Sequence, residues 1–257
     1  MPRILFSQLA FAEARDARIG GMRGLGFFGM ECCLQRIAPW DSIRQSDVSD
    51  YRAWLSDMGL DAPAVQSVFF GSGVSDFSDV HGCSEHLRRV VSLSSNLGSR
   101  ILVLGCPKMR VQGSEQSLAA TLKSVDPVLG DHGMTLCIEP NCRSYGGSYF
   151  FGLVDIVEFI SRNRLANVRT MIDTHNLESE GFSPSLEYFT HFGMVCHVHI
   201  SAFSLSPVRW ESGHADLARA CKGDCFLTYE LGACEDPQSR LEEFSRHIKS
   251  EVQCCPR

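Results

Sequence analysis

The feature that most constrains this chain is a recurrence of eight short apolar runs, each of strand length, separated by longer stretches of helical periodicity. The runs are Ile4–Phe11, Phe28–Leu34, Ala64–Phe70, Arg100–Cys106, Thr135–Glu139, Val168–Asp173, Val195–Ile200 and Cys225–Leu231. They are rich in β-branched and aromatic residues and nearly continuous in hydrophobicity. That is the pattern of strands covered on both faces, as in a parallel sheet. Between them, Ser46–Met58 stops at Gly59, Ser84–Asn96 at Gly98, and Leu118–Leu129 near Gly130 and Gly133. Glycine just past a periodic segment supplies the left-handed residue that closes a helix. Gly152–Asn163 follows a Gly-Gly turn, and Pro237–Val252 is the last helical segment.

Strand and helix in strict alternation imply right-handed crossovers and parallel strands. Eight such units in 257 residues fit an α/β chain closed into a (β/α)8 TIM barrel better than an open, doubly wound sheet. No Gly-x-Gly-x-x-Gly follows the first run, so the dinucleotide-binding signature is missing. No linker or low-complexity tract divides the sequence, and residues 1–257 read as a single domain.

Composition narrows the partners. The formal net charge of -6 disfavours non-specific nucleic-acid binding, because an acidic surface repels phosphate backbones. No run of about 18 apolar residues is present, so no membrane span is expected. The first apolar run is followed by Glu13, Arg15, Asp16 and Arg18, which is not the pattern of a signal peptide, and the expected location is cytoplasmic. The 12 cysteines include adjacent pairs at Cys32-Cys33 and Cys254-Cys255, with Cys221 and Cys225 four apart. None of these has a zinc-finger spacing, and a chain of this size needs no disulfide scaffold, so reduced thiols are expected.

In a (β/α)8 barrel the active site lies at the C-terminal ends of the strands. The last four runs end alike, in Cys137-Ile138-Glu139-Pro140-Asn141, Ile172-Asp173-Thr174-His175-Asn176, His197-Val198-His199-Ile200-Ser201 and Tyr229-Glu230-Leu231-Gly232. A lone carboxylate at a strand end is more often a helix cap or loop anchor than a ligand. Four ionisable groups at matching heights on consecutive strands are another matter. Carboxylates crowded at a barrel mouth repel one another unless a cation neutralises them. Three carboxylates and one imidazole suit one divalent ion such as Mn²⁺, Mg²⁺ or Co²⁺, and its open positions would take substrate oxygens.

With these segments, Gly24-Leu25-Gly26-Phe27-Phe28-Gly29-Met30-Glu31, Val65-Gln66-Ser67-Val68-Phe69-Phe70-Gly71 and Leu104-Gly105-Cys106-Pro107-Lys108-Met109-Arg110, the sequence resembles the xylose-isomerase-like barrels. These are sugar phosphate isomerases and epimerases, and they include ketose 3-epimerases, inosose dehydratases and endonuclease IV. The resemblance implies one metal held by Glu139, Asp173, His199 and Glu230. It also implies that Glu139 and Glu230 act as an acid/base pair on opposite faces of a sugar or sugar phosphate. One removes a proton next to the carbonyl and the other returns it, through an enediolate. The substrate-contacting residues depart from the ketose 3-epimerases. Asn176 stands where they have histidine, with His175 one position earlier. Leu205 stands where they have arginine, and Tyr145 where they have glutamate.

Lys108 and Arg143 are expected to hold an anionic group of the substrate, with Arg110 nearby, and His175, Asn176 and Glu31 to complete the pocket. Glu31 is equally readable as a hydrogen-bonding residue inside the mouth. His197 should lie one layer below His199. Trp40, Arg209 and Trp210 fall in rim loops and either wall the site or pack under those loops. The expected activity is a metal-dependent isomerase or epimerase of carbohydrate metabolism. The alternatives are an inosose-dehydratase-like lyase, an apurinic-site endonuclease-like hydrolase, and a non-catalytic barrel that binds a metabolite. The expected partner is a small sugar, with neither nucleic acid nor membrane, and with room for a homo-oligomer.

Overall fold

The computed structural model describes residues 2–221 and 225–253. The Cys254-Cys255 pair lies outside the described residues. Eight parallel strands, β1 (Arg3–Ser7), β2 (Gly29–Cys32), β3 (Asp61–Val65), β4 (Ile101–Leu104), β5 (Thr135–Ile138), β6 (Val168–Asp173), β7 (Val195–Ile200) and β8 (Phe226–Tyr229), pair in sequence order, and β8 closes onto β1. The helices are α1 (Met22–Leu25), α2 (Leu34–Ile37), α3 (Gln45–Asp57), α4 (Val80–Leu97), α5 (Glu115–Asp131), α6 (Leu153–Asn163), α7 (Thr174–Ser179), α8 (Pro184–Thr190), α9 (Ser212–Ala220) and α10 (Pro237–Gln253). The chain is therefore a TIM barrel. Among the described residues no helix is long and apolar enough to cross a membrane.

Each strand has one face in the barrel and one against the helices, which is why the runs lack alternation. Phe6, Leu102, Leu104, Ile138, Ile172, Val198, Ile200 and Leu227 belong to the core that the helices cover. Leu5, Ala64, Ile101, Val103, Cys137, Met171 and Phe226 form a separate apolar cluster, the floor of the barrel interior. The helices bury single stripes. In α6 these are Leu153, Ile156, Phe159 and Ile160, and each such side chain contributes about 1.5–3 kcal/mol over its exposed state.

Two irregularities set the direction of the polar residues above that floor. Between β6 and β7, Thr170 pairs with Val195 but Ile172 pairs with Val198. One extra residue on β7 lets Cys196 pack on the floor while His197 and His199 still face inward. Without it, strict alternation from Cys196 would turn both histidines outward. Between β2 and β3 the register shifts in the same way between Gly29 and Glu31. A Cβ at Gly29 would lie 2.2 Å from the Asp61 carbonyl oxygen, so this close approach of two backbones requires glycine.

The expected third strand, Ala64–Phe70, is displaced: β3 ends at Val65. Ser67 takes a left-handed φ of 58°, which ends the extended chain. The apolar run continues because Val68 and Phe69 are buried beneath the loop that follows. Helices α1, α2, α7, α8 and α9 escape the sequence periodicity because none exceeds nine residues, too short to display a repeated stripe. All ten cysteines among the described residues are free thiols.

Candidate metal centre

Above the floor the interior becomes polar. Ser7, Glu31, Gln66, Asp173, His197, His199, Thr228 and Glu230 are all buried. The alternation that puts Cys137 and Met171 in the floor places Glu139 and Asp173 one layer higher, and Phe226 leads through Thr228 to Glu230. Backbone bonds extend the ladder to these positions. The Glu139 amide donates to the Leu104 carbonyl at 3.1 Å and the Glu230 amide to the Ile200 carbonyl at 3.0 Å. One ligand atom from each of Glu139, Asp173, His199 and Glu230 lies within 4.8 Å of the others.

The centre of this group is His199. Its Nδ1 stands 3.3 Å from Glu230 Oε2, 3.5 Å from Glu139 Oε1 and 3.8 Å from Asp173 Oδ2. Its Nε2 lies 3.1 Å from both oxygens of Glu31 and donates to that carboxylate. Glu31 also accepts from His197 Nε2 at 3.0 Å, and Thr228 Oγ1 lies 3.3 Å from the same nitrogen. Such a carboxylate behind a histidine fixes the ring and directs its other nitrogen forward.

The second oxygen of two carboxylates is held by neighbours. Asp173 caps α7, and its Oδ1 accepts from the Asn176 amide at 2.7 Å and from Ser201 Oγ at 2.8 Å, which leaves Oδ2 for the centre. Glu139 Oε2 accepts from Asn141 Nδ2 at 3.1 Å. The same oxygen would be 2.2 Å from a Cβ on Gly105, so any side chain there would displace the Glu139 carboxylate. Asn141 and Ser201 were missed as site residues by the sequence reading. Each lies two positions beyond a candidate ligand, so extending the inward face by one more step would have found them.

Electrostatics explain what the group lacks. Burial pushes the Asp173 carboxyl well above the usual range, and Glu139 and Glu230 add to the push. Burial likewise raises Glu230, against the opposing charge of His199. Burial opposes a charge on His199, but Glu31 and Glu230 outweigh it and hold the imidazole well above its ordinary value. Glu31 is the reverse case. Burial alone would raise it, yet His199 and His197 hold it below the carboxylate range. His199 Nδ1 is buried without a well-aligned hydrogen-bond partner. An orphaned imidazole nitrogen facing three carboxylate oxygens is a donor set that a hard or borderline divalent cation fits. Glu31, His197 and His199 also come within ligand distance of one another, but there the carboxylate already accepts from both rings.

A cavity of about 470 Å³ opens over Glu139, Asp173 and Glu230, with His199 buried beneath them, and is lined among others by Phe70, Tyr145, His175, Asn176, Ser204 and Leu205. Of the expected pocket residues, His175 and Asn176 are the two that line it. Glu31 and His197 lie below the cavity as supports. Neither Lys108 nor Arg143 lines this cavity. The Arg143 guanidinium is paired with Glu180 and stacked over Phe151 at 4.0 Å, with its side chain 68% exposed. Lys108 is exposed beside an adjoining cavity. Arg110 is fully buried and donates to the Leu104 carbonyl. Trp40 donates to the Phe70 carbonyl at 2.8 Å and so pins the β3 loop. Trp210 packs on Phe244 and His247 of α10, away from the ligands, and Arg209 is exposed.

Comparison with known proteins agrees with this architecture. A sequence model of the xylose isomerase-like TIM barrel family matches residues 22–250. No curated protein matches the sequence. Among solved structures, 3-keto-D-glucoside 4-epimerase from E. coli superposes with a TM-score of 0.74 at 16% identity, covering 99% of this chain and 100% of that one. A family 2 AP endonuclease from Brucella melitensis gives 0.77 at 16% identity, covering 96% and 99%. D-Psicose 3-epimerase from Clostridium cellulolyticum H10, solved with D-tagatose, gives 0.74 at 12% identity, covering 98% of each chain. At these identities the likeness is one of fold.

Proposed function

Because the chain belongs to the xylose isomerase-like TIM barrel family, we propose that it is a metal-dependent sugar isomerase or epimerase that moves a proton on the carbon next to a carbonyl. The sugar epimerases among its structural neighbours support the class. One observation carries the assignment of roles. Asp173 is the most deeply buried of the three carboxylates, with its side chain 3% exposed and its Oδ1 held by both the Asn176 amide and Ser201 Oγ. Glu139 and Glu230 are 12% and 10% exposed and border the cavity. Asp173 lines the same cavity, but Glu139 and Glu230 present more of their carboxylates to a substrate.

Glu139, Asp173, His199 through Nδ1, and Glu230 would hold the ion. When bound, a divalent ion draws electron density from a carbonyl oxygen and its neighbouring hydroxyl, which acidifies the C–H between them. The residues of the chain do the rest. Glu139 and Glu230 follow β5 and β8, on opposite sides of Asp173 and His199, so each reaches a different face of a sugar lying over the group. One takes the proton and the other returns it. Asn141 orients Glu139 for this, and Glu31 keeps His199 turned toward the centre. The rings of Tyr145, His175 and Phe203 pack with centroids 5.6–6.4 Å apart, and Tyr145 and His175 line the cavity.

An uncharged sugar is favoured over its phosphate. Among the described residues no lysine or arginine lines the cavity over the ligands, and three carboxylates beneath it would repel an anion. The test is solvent exchange. Protein loaded with Mn²⁺ is incubated in deuterium oxide with ketopentoses, ketohexoses and keto-glucosides. Deuterium should enter at the carbon next to the carbonyl of at least one of them. A panel that exchanges no faster than with Mn²⁺ alone would remove the epimerase reading.

A further inference from the structure

The cavity over the ligands adjoins a second cavity of about 670 Å³, and Phe70, Pro107 and Tyr145 line both. The other walls of this annex include Phe69, Val74 and Met109, and among the described residues Lys108 is the one charged side chain that lines it. Phe70 is 73% exposed, an unusual position for a large aromatic ring. Its exposure is not that of a loose loop. The Phe70 amide donates to the Ser67 carbonyl at 3.0 Å, its carbonyl accepts from Trp40 Nε1 at 2.8 Å, and left-handed backbone at Ser67 and Gly71 fixes the turn on either side. The fold holds the ring out at the junction of two cavities.

Resting on the epimerase reading, we infer that the substrate has two parts: a keto sugar over the carboxylates and a second ring, attached through a glycosidic oxygen, seated in the annex against Phe70, Met109 and Tyr145. Each feature of the cleft selects for this class. Two adjoining cavities of about 470 and 670 Å³ offer more room than a single small sugar fills, and ligand cavities bury most of what they hold. An apolar wall ending in an exposed aromatic face receives the C–H face of a ring or an aryl group. A phosphate would need several converging donors, whereas the annex offers one lysine and Arg143 is committed to Glu180.

The inference is tested by calorimetry on Mn²⁺-loaded protein with phenyl and methyl glycosides of glucose, galactose and mannose in both anomers, and with glucose 6-phosphate. The phenyl member of at least one pair should bind about tenfold or more tighter than its methyl partner. Phe70→Ala should remove that advantage without changing the thermal midpoint, because the ring is exposed. Equal binding of phenyl and methyl partners, an advantage that survives Phe70→Ala, a preference for the phosphate, or no binding by any glycoside would overturn the inference. Repeating the titrations on Asp173→Ala separates the two levels. A phenyl advantage that persists while overall affinity drops supports both readings. Unchanged overall affinity in Asp173→Ala, with the advantage still dependent on Phe70, keeps the annex and discards the metal-centred site.

Discussion

Glu139→Gln and Glu230→Gln should each slow exchange of the substrate proton by about 10²-fold or more, the loss expected when a general base is removed. Each amide keeps the volume of the carboxylate and can still offer one oxygen toward the centre, so the fold and part of the metal affinity should survive. What is lost is the ability to accept a proton. Asp173→Asn should differ in kind. Its loss should be recovered in part by excess Mn²⁺, because Asp173 is the least exposed of the three carboxylates and its Oδ1 is already held by Asn176 and Ser201. Exchange measured at saturating Mn²⁺ separates the cases. Rates in Glu139→Gln and Glu230→Gln that return to the wild-type value would defeat the two-base mechanism and place the base on another residue.

The second large effect is on stability. Glu31 is wholly buried and is the shared acceptor of His197 and His199. Replacing it with alanine leaves two buried imidazole N–H groups without their acceptor and His199 without the group that turns it. Removing one partner from a buried charged network costs about 3 kcal/mol or more. For a chain of this length that corresponds to a fall of about 6–12 °C in the thermal midpoint. Glu31→Gln should fall between Glu31→Ala and the wild type, since an amide oxygen can still accept from one ring. A midpoint in Glu31→Ala within about 1 °C of wild type would show that the histidines are positioned by something else.

The barrel was legible because its signal is repeated. Eight apolar runs need not each be bounded well for their number and order to specify closure, and β6 and β7 were bounded correctly at both ends. The error at the third strand has a local cause. Hydrophobicity reports burial, and Val68 and Phe69 are buried in a loop rather than in the sheet. The candidate ligands were legible because the barrel layout brings consecutive strand ends to one mouth. Their hydrogen-bond partners were less so. Asn141 and Ser201 are common residue types whose role depends on side-chain direction, and the register shift on β7 sets that direction for His199 and Ser201. Lys108 and Arg143 show what the position of a charge in a sequence leaves open. Both follow strand ends, yet Glu180, 37 positions beyond Arg143, draws its guanidinium away. No local pattern announces such a pairing.

The central claim is that one cation joins the ends of β5, β6, β7 and β8. Anomalous diffraction from crystals grown with Mn²⁺ tests it directly. A single strong peak should lie about 2.0–2.4 Å from His199 Nδ1 and from one oxygen each of Glu139, Asp173 and Glu230. A peak among Glu31, His197 and His199 instead, or no peak at saturating Mn²⁺, would contradict the account.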